Sequence, residues 1–201
     1  MKIAFYKYEG AGNDFIIIDN REEGLQLDEK QINFLCNRHF GIGSDGLMLV
    51  SKSKEADFKM EFFNPDGSGG MMCGNGGRCV VRFAKDMNII AKNTTEFMAP
   101  DGKHMAEIQD KEIALKMNNV EKVDKYNDGY YLNTGTSHFV IKVKDVKEEN
   151  VVEKGRKIRF DTRFEKYKGC NADFYTEIKD KKLLIRTYER GVEDETLACG
   201  T

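Results

Sequence analysis

No run of apolar residues in this chain approaches the length of a bilayer span, and the opening Met-Lys-Ile-Ala-Phe-Tyr-Lys lacks the continuous apolar segment of a signal peptide. Charge of one sign is missing too. The 32 basic and 34 acidic side chains leave a formal net charge of -2, which gives no electrostatic footprint for nucleic acid or an anionic membrane. Lysines and carboxylates interleave along the chain, as on a solvated surface. These absences point to a cytoplasmic protein with a small-molecule partner, and to neither a nucleic-acid nor a membrane partner. Also lacking is any Cys-x-x-Cys pair. Five cysteines, an odd number with no export signal, argue against a disulfide framework, and the spacing from Cys73 to Cys79 is too wide for the usual zinc knuckle, so no metal is expected. Cys36 reads as a small apolar residue on a helix, and the same default applies to Cys79 and Cys170.

What is present can build a core: 201 residues, 40% hydrophobic and 33% charged, allow one large domain or two small lobes. Lys2 to Tyr8 and Asp14 to Asp19 are β-rich runs separated by Glu-Gly-Ala-Gly-Asn, and they predict neighbouring strands. Aspartate 28 can cap a helix running to about Arg38, with Ile32, Leu35 and Cys36 at helical spacing and Gly41 just past its end. Further strands are predicted over 46–51 and 57–63, and the turn Asn-Pro-Asp-Gly-Ser-Gly-Gly then leads to Cys73. From about Asn75 to Met87 the period changes: Val80, Phe83, Ala84 and Met87 mark one apolar face while Cys79 and Val81 add others, so this helix is expected in the middle of a curled sheet. In the second half, strands are predicted over 130–133, 139–144, 172–178 and 183–188, with a helical segment around 147–155.

Two cysteines stand in near-matching settings, Cys73 in Met-Cys-Gly-Asn-Gly-Gly-Arg-Cys and Cys199 in Leu-Ala-Cys-Gly-Thr. Each is followed at once by glycine, which lets the backbone turn tightly and offer its amides to a small anion, so both read as thiols held at a helix start. There the unpaired amides and the dipole favour a thiolate and a carboxylate seat. From Phe15 to Cys73 is 58 positions and from Phe139 to Cys199 is 60, a weak sign of an internal repeat in which two lobes place a thiol by one device. Two such thiols point to a proton removed from one face of a carbon and returned to the other.

Gly-Ala-Gly-Asn-Asp-Phe (10–15), Arg-His-Phe-Gly-Ile-Gly-Ser-Asp-Gly (38–46), Phe-Asn-Pro-Asp-Gly-Ser (63–68), the motif at 72–79 and Tyr-Glu-Arg-Gly-Val-Glu-Asp-Glu-Thr-Leu-Ala-Cys-Gly-Thr (188–201) together resemble the diaminopimelate epimerase family, in order and at its spacings. Proline racemase-like relatives characteristically have histidine where this chain has Asn75. The resemblance implies an α+β fold of two pseudo-symmetric lobes, 1–117 and 118–201, each a curled, mostly antiparallel sheet around a central helix. It also implies an isomerase that interconverts LL- and meso-2,6-diaminopimelate in the formation of lysine and cell-wall precursor, without pyridoxal phosphate or any other cofactor, and it leaves a homodimer open. Cys73 and Cys199 would be base and acid, exchanging roles with direction.

Gly74, Asn75, Gly200 and Thr201 match the positions that hold the reacting carboxylate. Asn13, Asn64, Asn171, Glu189 and Arg190 match those that grip the substrate, since a guanidinium and paired amides suit a carboxylate and Glu189 can accept from an ammonium group. The bland alternative for Glu189 and Arg190 is a surface ion pair. His138, with Glu189, matches a thiol-tuning position, although a lone histidine is more often structural. At Gly46 many members carry a glutamine that reaches the substrate, and at Thr136-Ser137 the family more often reads Asn-Pro. The family also continues past its second cysteine, as the central helix of the second lobe and then as closing strands. The expectation from the sequence is therefore a second lobe incomplete after Thr201, and an inactive truncated form or a non-catalytic binding lobe as the alternative function. A thiol redox protein using Cys73 with Cys79 is the rival from another class.

Overall fold

The computed structural model describes residues 2–22, 24–70, 72–110, 112–179 and 181–199; Gly200 and Thr201, expected at the carboxylate seat, lie outside them. The chain divides into two compact units, Met1–Met117 and Asn118–Thr201, and the fold is α+β with two curled sheets. Among the described residues no helix is long and apolar enough to cross a membrane.

In the first unit seven strands follow one another in sheet order: β1 (Tyr6–Gly10), β2 (Asn13–Asp19), β3 (Gly46–Ser51), β4 (Phe58–Phe63), β5 (Thr94–Ala99), β6 (Gly102–Gln109) and β7 (Glu112–Lys116). Strands β2 and β3 are parallel, joined through α1 (Glu29–Cys36), and β4 and β5 are parallel, joined through α2 (Gly74–Asp86); the other pairs are antiparallel. Helix α1 starts at Asp28, whose carboxylate accepts from Gln31 N at 2.8 Å while the Gln31 side chain accepts from Asp28 N at 3.0 Å, a reciprocal cap that satisfies two amides the helix cannot.

Because successive strand residues point to opposite faces, the apolar run in β2 divides: Ile16 and Ile18 join Ile32 and Cys36 of α1, and Phe15 and Ile17 join the core around α2. Burial on both faces explains why β2 and β3 are continuously apolar rather than alternating. Helix α2 contacts β1 and β7, the two ends of the sheet order, as well as β2, β3 and β6. The sheet therefore curls around α2, and Val80, Val81, Phe83 and Ala84 are fully buried there.

Strands β5 to β7 are absent from the sequence expectation. Their inward residues alternate with Lys, Glu and Gln, and one inward residue of β6 is His104, 2% exposed and stacked on Phe97. A polar residue inside breaks the apolar alternation that marks a strand. His104 is accommodated because Asp101 hydrogen-bonds its Nε2 at 2.8 Å and raises its pKa above the ordinary imidazole value, against the opposing effect of burial.

The second unit orders its strands β13-β12-β11-β10-β9-β8, where β8 is Val123–Lys125, β9 Tyr130–Asn133, β10 Ser137–Lys142, β11 Asn171–Ile178, β12 Lys182–Glu189 and β13 Asp194–Thr196. Only β10 and β11 are parallel, joined through α3 (Val151–Arg159). The helix expected over 147–155 is thus displaced. A 3-10 turn occupies Val146–Glu148, and α3 begins afresh at Asn150, whose side chain accepts from Glu153 N at 3.3 Å. The internal repeat appears in the topology: β1-β2-α1-β3-β4 and β9-β10-α3-β11-β12 share one sequence of antiparallel, parallel and antiparallel pairings. In the second unit α3 packs on β11, β12 and β13.

Candidate active site

In the first unit Cys73 is the N-cap of α2, with extended backbone at φ -107° and ψ 120°, and its sulfur accepts from Gly76 N at 3.4 Å. The thiol occupies the place where serine or aspartate usually satisfies a helix's first amides, and the same amides favour negative charge on sulfur. The glycines that follow keep this turn close to its surroundings. A Cβ on Gly77 would lie 2.5 Å from Met72 Cε and 2.8 Å from Leu115 Cδ2, so a larger residue there must displace the ends of both side chains.

Asn13, at the start of β2, and Asn75, in the first turn of α2, meet across 62 positions: Asn75 Nδ2 donates to Asn13 Oδ1 at 2.8 Å. Asn13 Nδ2 donates in turn to Asp45 at 3.2 Å, and Arg78 Nη1 donates to Asn75 Oδ1 at 3.3 Å. Both amides are buried, and this network orients them. Asp45 is held from the other side by Arg38, which also bonds Asp14. Burial works against a charge on Asp14, but the Arg38 and Lys7 hydrogen bonds outweigh it and hold that carboxyl at about 2. Asn64 follows β4 and is half-buried, with its amide donating to Ser68 Oγ at 2.9 Å. Gly46 stands where a Cβ would come within 2.9 Å of the Phe62 ring, which gives this departure from the family pattern a packing reason.

In the second unit Cys199 is half-buried, shortly after β13. One ring nitrogen of His138, one carboxylate oxygen of Asp173 and Cys199 Sγ all lie within 4.8 Å of one another. His138 is 2% exposed; its Nδ1 lies 2.7 Å from Asp173 Oδ2, and its Nε2 lies 2.9 Å from Thr136 Oγ1 and 3.4 Å from Asn171 Nδ2. Asn171 Oδ1 accepts from the Arg190 amide at 2.8 Å. Arg190 Nη1 donates to the carbonyls of Tyr167 at 2.9 Å and Gly169 at 3.3 Å, and burial lowers the pKa of this guanidinium. Glu189, half-buried, ends β12 opposite Asp194.

Sequence reasoning missed Asp173, Thr187, whose hydroxyl donates to Asp173 Oδ1 at 2.6 Å, and Asp45, and it left a side-chain contact from position 136 in doubt. A signal existed: Asp173 interrupts an otherwise apolar strand start, Ala-Asp-Phe, and a carboxylate in such a run needs a buried partner. The remaining cysteines behave as core. Burial pushes the Cys79 and Cys170 thiols up to about 12 and raises that of Cys36. Cys79 therefore stays protonated and is a poor redox partner for Cys73.

The diaminopimelate epimerase family model matches residues 5–123. Diaminopimelate epimerase of Flavobacterium psychrophilum is 49% identical over 201 residues, covering 98% of this chain and 77% of that protein. The enzyme of the same name from Aquifex aeolicus is 40% identical over 217 residues, again covering 98% and 77%. A solved PhzF-family phenazine biosynthesis protein of Bacillus anthracis superposes with a TM-score of 0.73 at 16% identity, over 100% of this chain and 77% of its own. A hydroxyproline epimerase from Agrobacterium vitis superposes with a TM-score of 0.67 at 13% identity, over 92% and 69%. At such identities the two structures speak for the fold alone.

Proposed function

The chain belongs to the diaminopimelate epimerase family, an isomerase that interconverts LL- and meso-2,6-diaminopimelate, and on that premise we propose that Cys73 and Cys199 are its proton-transferring pair. The observation that carries the assignment is Cys73 itself: a half-buried thiol capping a buried helix, its sulfur on a backbone amide, beside the ordered Asn13–Asn75 pair. An α-proton of an amino acid is very weakly acidic, and its removal without an electron sink requires donors already aimed at the developing charge in a site that excludes water. The first-turn amides at Gly74 and Asn75 supply such donors for the reacting carboxylate. A thiolate removes the proton and the second thiol delivers another to the opposite face of the same carbon; the roles exchange in the reverse direction.

Asn13, Asn64, Asn171, Glu189 and Arg190 are assigned to holding the substrate, chiefly its unreactive amino-acid centre. Support for Asn13 and Asn171 comes from the way each amide is fixed by neighbours rather than left to rotate. Gly200 and Thr201 keep their proposed place in the carboxylate seat on the family resemblance alone. The same reading makes this a cytoplasmic enzyme of a small-molecule substrate. The test is incubation of the folded chain with LL-diaminopimelate and chiral separation of the products. Accumulation of the meso isomer, with L-proline and trans-4-hydroxy-L-proline left unchanged, is the expected outcome; unaltered LL substrate would sink the reading.

A further inference from the structure

Asp45, just before β3, has no part in the proton transfer described above, yet three donors converge on its carboxylate. Arg38 Nη2 donates to Oδ1 at 2.6 Å, and Oδ2 accepts from Asn13 Nδ2 and from the Asp14 amide, both at 3.2 Å. The backbone is fixed as well. The Asp45 amide donates to the Asp14 carbonyl at 2.8 Å, at the start of the parallel pairing of β2 with β3. Arg38 is steadied in turn by Asp14, whose carboxylate also takes Lys7.

The polarity of the side chains beyond Asp45 is forced. A carboxylate only accepts, so Asn13 turns its nitrogen to Asp45 and its oxygen away. That oxygen accepts from Asn75 Nδ2 at 2.8 Å, and Asn75 then turns its own oxygen to Arg78, which as a guanidinium only donates. The series from Arg38 to Arg78 therefore has an ion at each end, and both ends demand the same orientation of the two amides. One hydrogen is left over. Asn13 is 5% exposed, Asp45 takes one of its two side-chain N–H bonds, and the other has no acceptor among the described residues. A buried donor in that condition is one that a bound carboxylate satisfies.

We propose that Asp45, held by Arg38, is the positioning residue that fixes Asn13 as a hydrogen-bond donor to a carboxylate of the substrate and passes that orientation on to Asn75, in the first turn of α2. Asp45→Asn shows why a carboxylate is needed. The retained oxygen goes to Arg38, a nitrogen then faces Asn13, and two donors meet. Asn13 turns over to relieve this, and its nitrogen confronts that of Asn75. A change of one atom at position 45 thus disorders two amides in succession, one of them in the helix turn that Cys73 caps.

The inference rests on reading Asn13 as a substrate-holding residue, so one arm of its test needs no substrate. The side-chain amide resonances of Asn13, Asn75 and Asn20 are followed by heteronuclear magnetic resonance of the full chain, each assigned by its alanine variant. In Asp45→Asn the Asn13 and Asn75 signals should both move and exchange with solvent about tenfold faster. Asn20, held by Leu25 just past the other end of β2, should stay in place. In the kinetic arm the same variant should raise KM for LL-diaminopimelate about tenfold and change kcat by less than about threefold, the pattern of lost binding rather than lost chemistry. Arg38→Gln, which keeps the carboxylate and removes the guanidinium that holds it, should act in the same direction by less, and it carries the test if Asp45→Asn does not fold. Unmoved Asn13 and Asn75 signals, equal movement of Asn20, or a lower kcat at an unchanged KM would overturn the proposal. Moved signals in a chain without epimerase activity would count against the function and leave the positioning role standing.

Discussion

Cys73→Ser is expected to lower epimerisation about 10³-fold in both directions, the scale that a positioned acid or base contributes, while leaving the helix behind it intact. The reasoning turns on the double duty of this side chain. As the N-cap of α2 it accepts from Gly76 N, and a serine hydroxyl accepts that amide at least as well. As an acid–base group it depends on sulfur, because a hydroxyl cannot ionise usefully near neutral pH. One substitution thus keeps the structural role and removes the chemical one. Steady-state rates from each isomer, with far-ultraviolet circular dichroism as the control for α2, separate the two. Activity within threefold of the unaltered chain would remove Cys73 from the mechanism.

Phe83→Ala should cost roughly 3–5 kcal/mol of folding stability, the range for emptying a fully buried aromatic site. Phe83 is 0% exposed on the α2 face, with ring centroids 5.2 Å from Tyr6 and 5.8 Å from Tyr8 of β1. It ties the central helix to the first strand of the curled sheet, and deletion of the ring leaves a cavity that the close-packed helix cannot collapse to fill. Phe34 supplies the contrast: the same residue type on α1, but 57% exposed, so Phe34→Ala should change stability by no more than about 0.5 kcal/mol. Urea unfolding of the two variants checks this. A loss below about 1 kcal/mol for Phe83→Ala would mean that α2 is not the centre of the first unit's core.

The contrast between these two phenylalanines also shows what could be read without coordinates. The apolar faces of 75–87 located α2 and its burial, and the capping aspartate located α1, because helix periodicity and caps are local signals. Strands β2 and β3 were legible as apolar runs, since both of their faces are covered. Strands β5 to β7 were not, because each buries one face only and His104 sits on that face. The thiols, Asn13 and Asn75 were named from motifs, but the hydrogen bond between the two amides was not. Asp173 was not named, because its contacts arise from register: three strands must align before Thr187, Asp173 and His138 share a face. Arg190 was expected to bind an anion, whereas the bonds its guanidinium makes to the Tyr167 and Gly169 carbonyls follow from a turn that only the fold brings near.

In the mechanism proposed for Cys73 and Cys199, two monoprotic groups rather than one handle the proton. Epimerisation of LL-diaminopimelate in deuterium oxide tests it directly, with both isomers recovered at low conversion and weighed for label at the α-carbon. A thiolate that takes the substrate's proton holds it and can only give it back to the face it came from, while the second thiol delivers deuterium to the other. The account predicts meso product carrying one deuterium per molecule and recovered LL substrate carrying almost none. Equal labelling of substrate and product at the earliest times would show a single exchanging base and would contradict the two-cysteine mechanism.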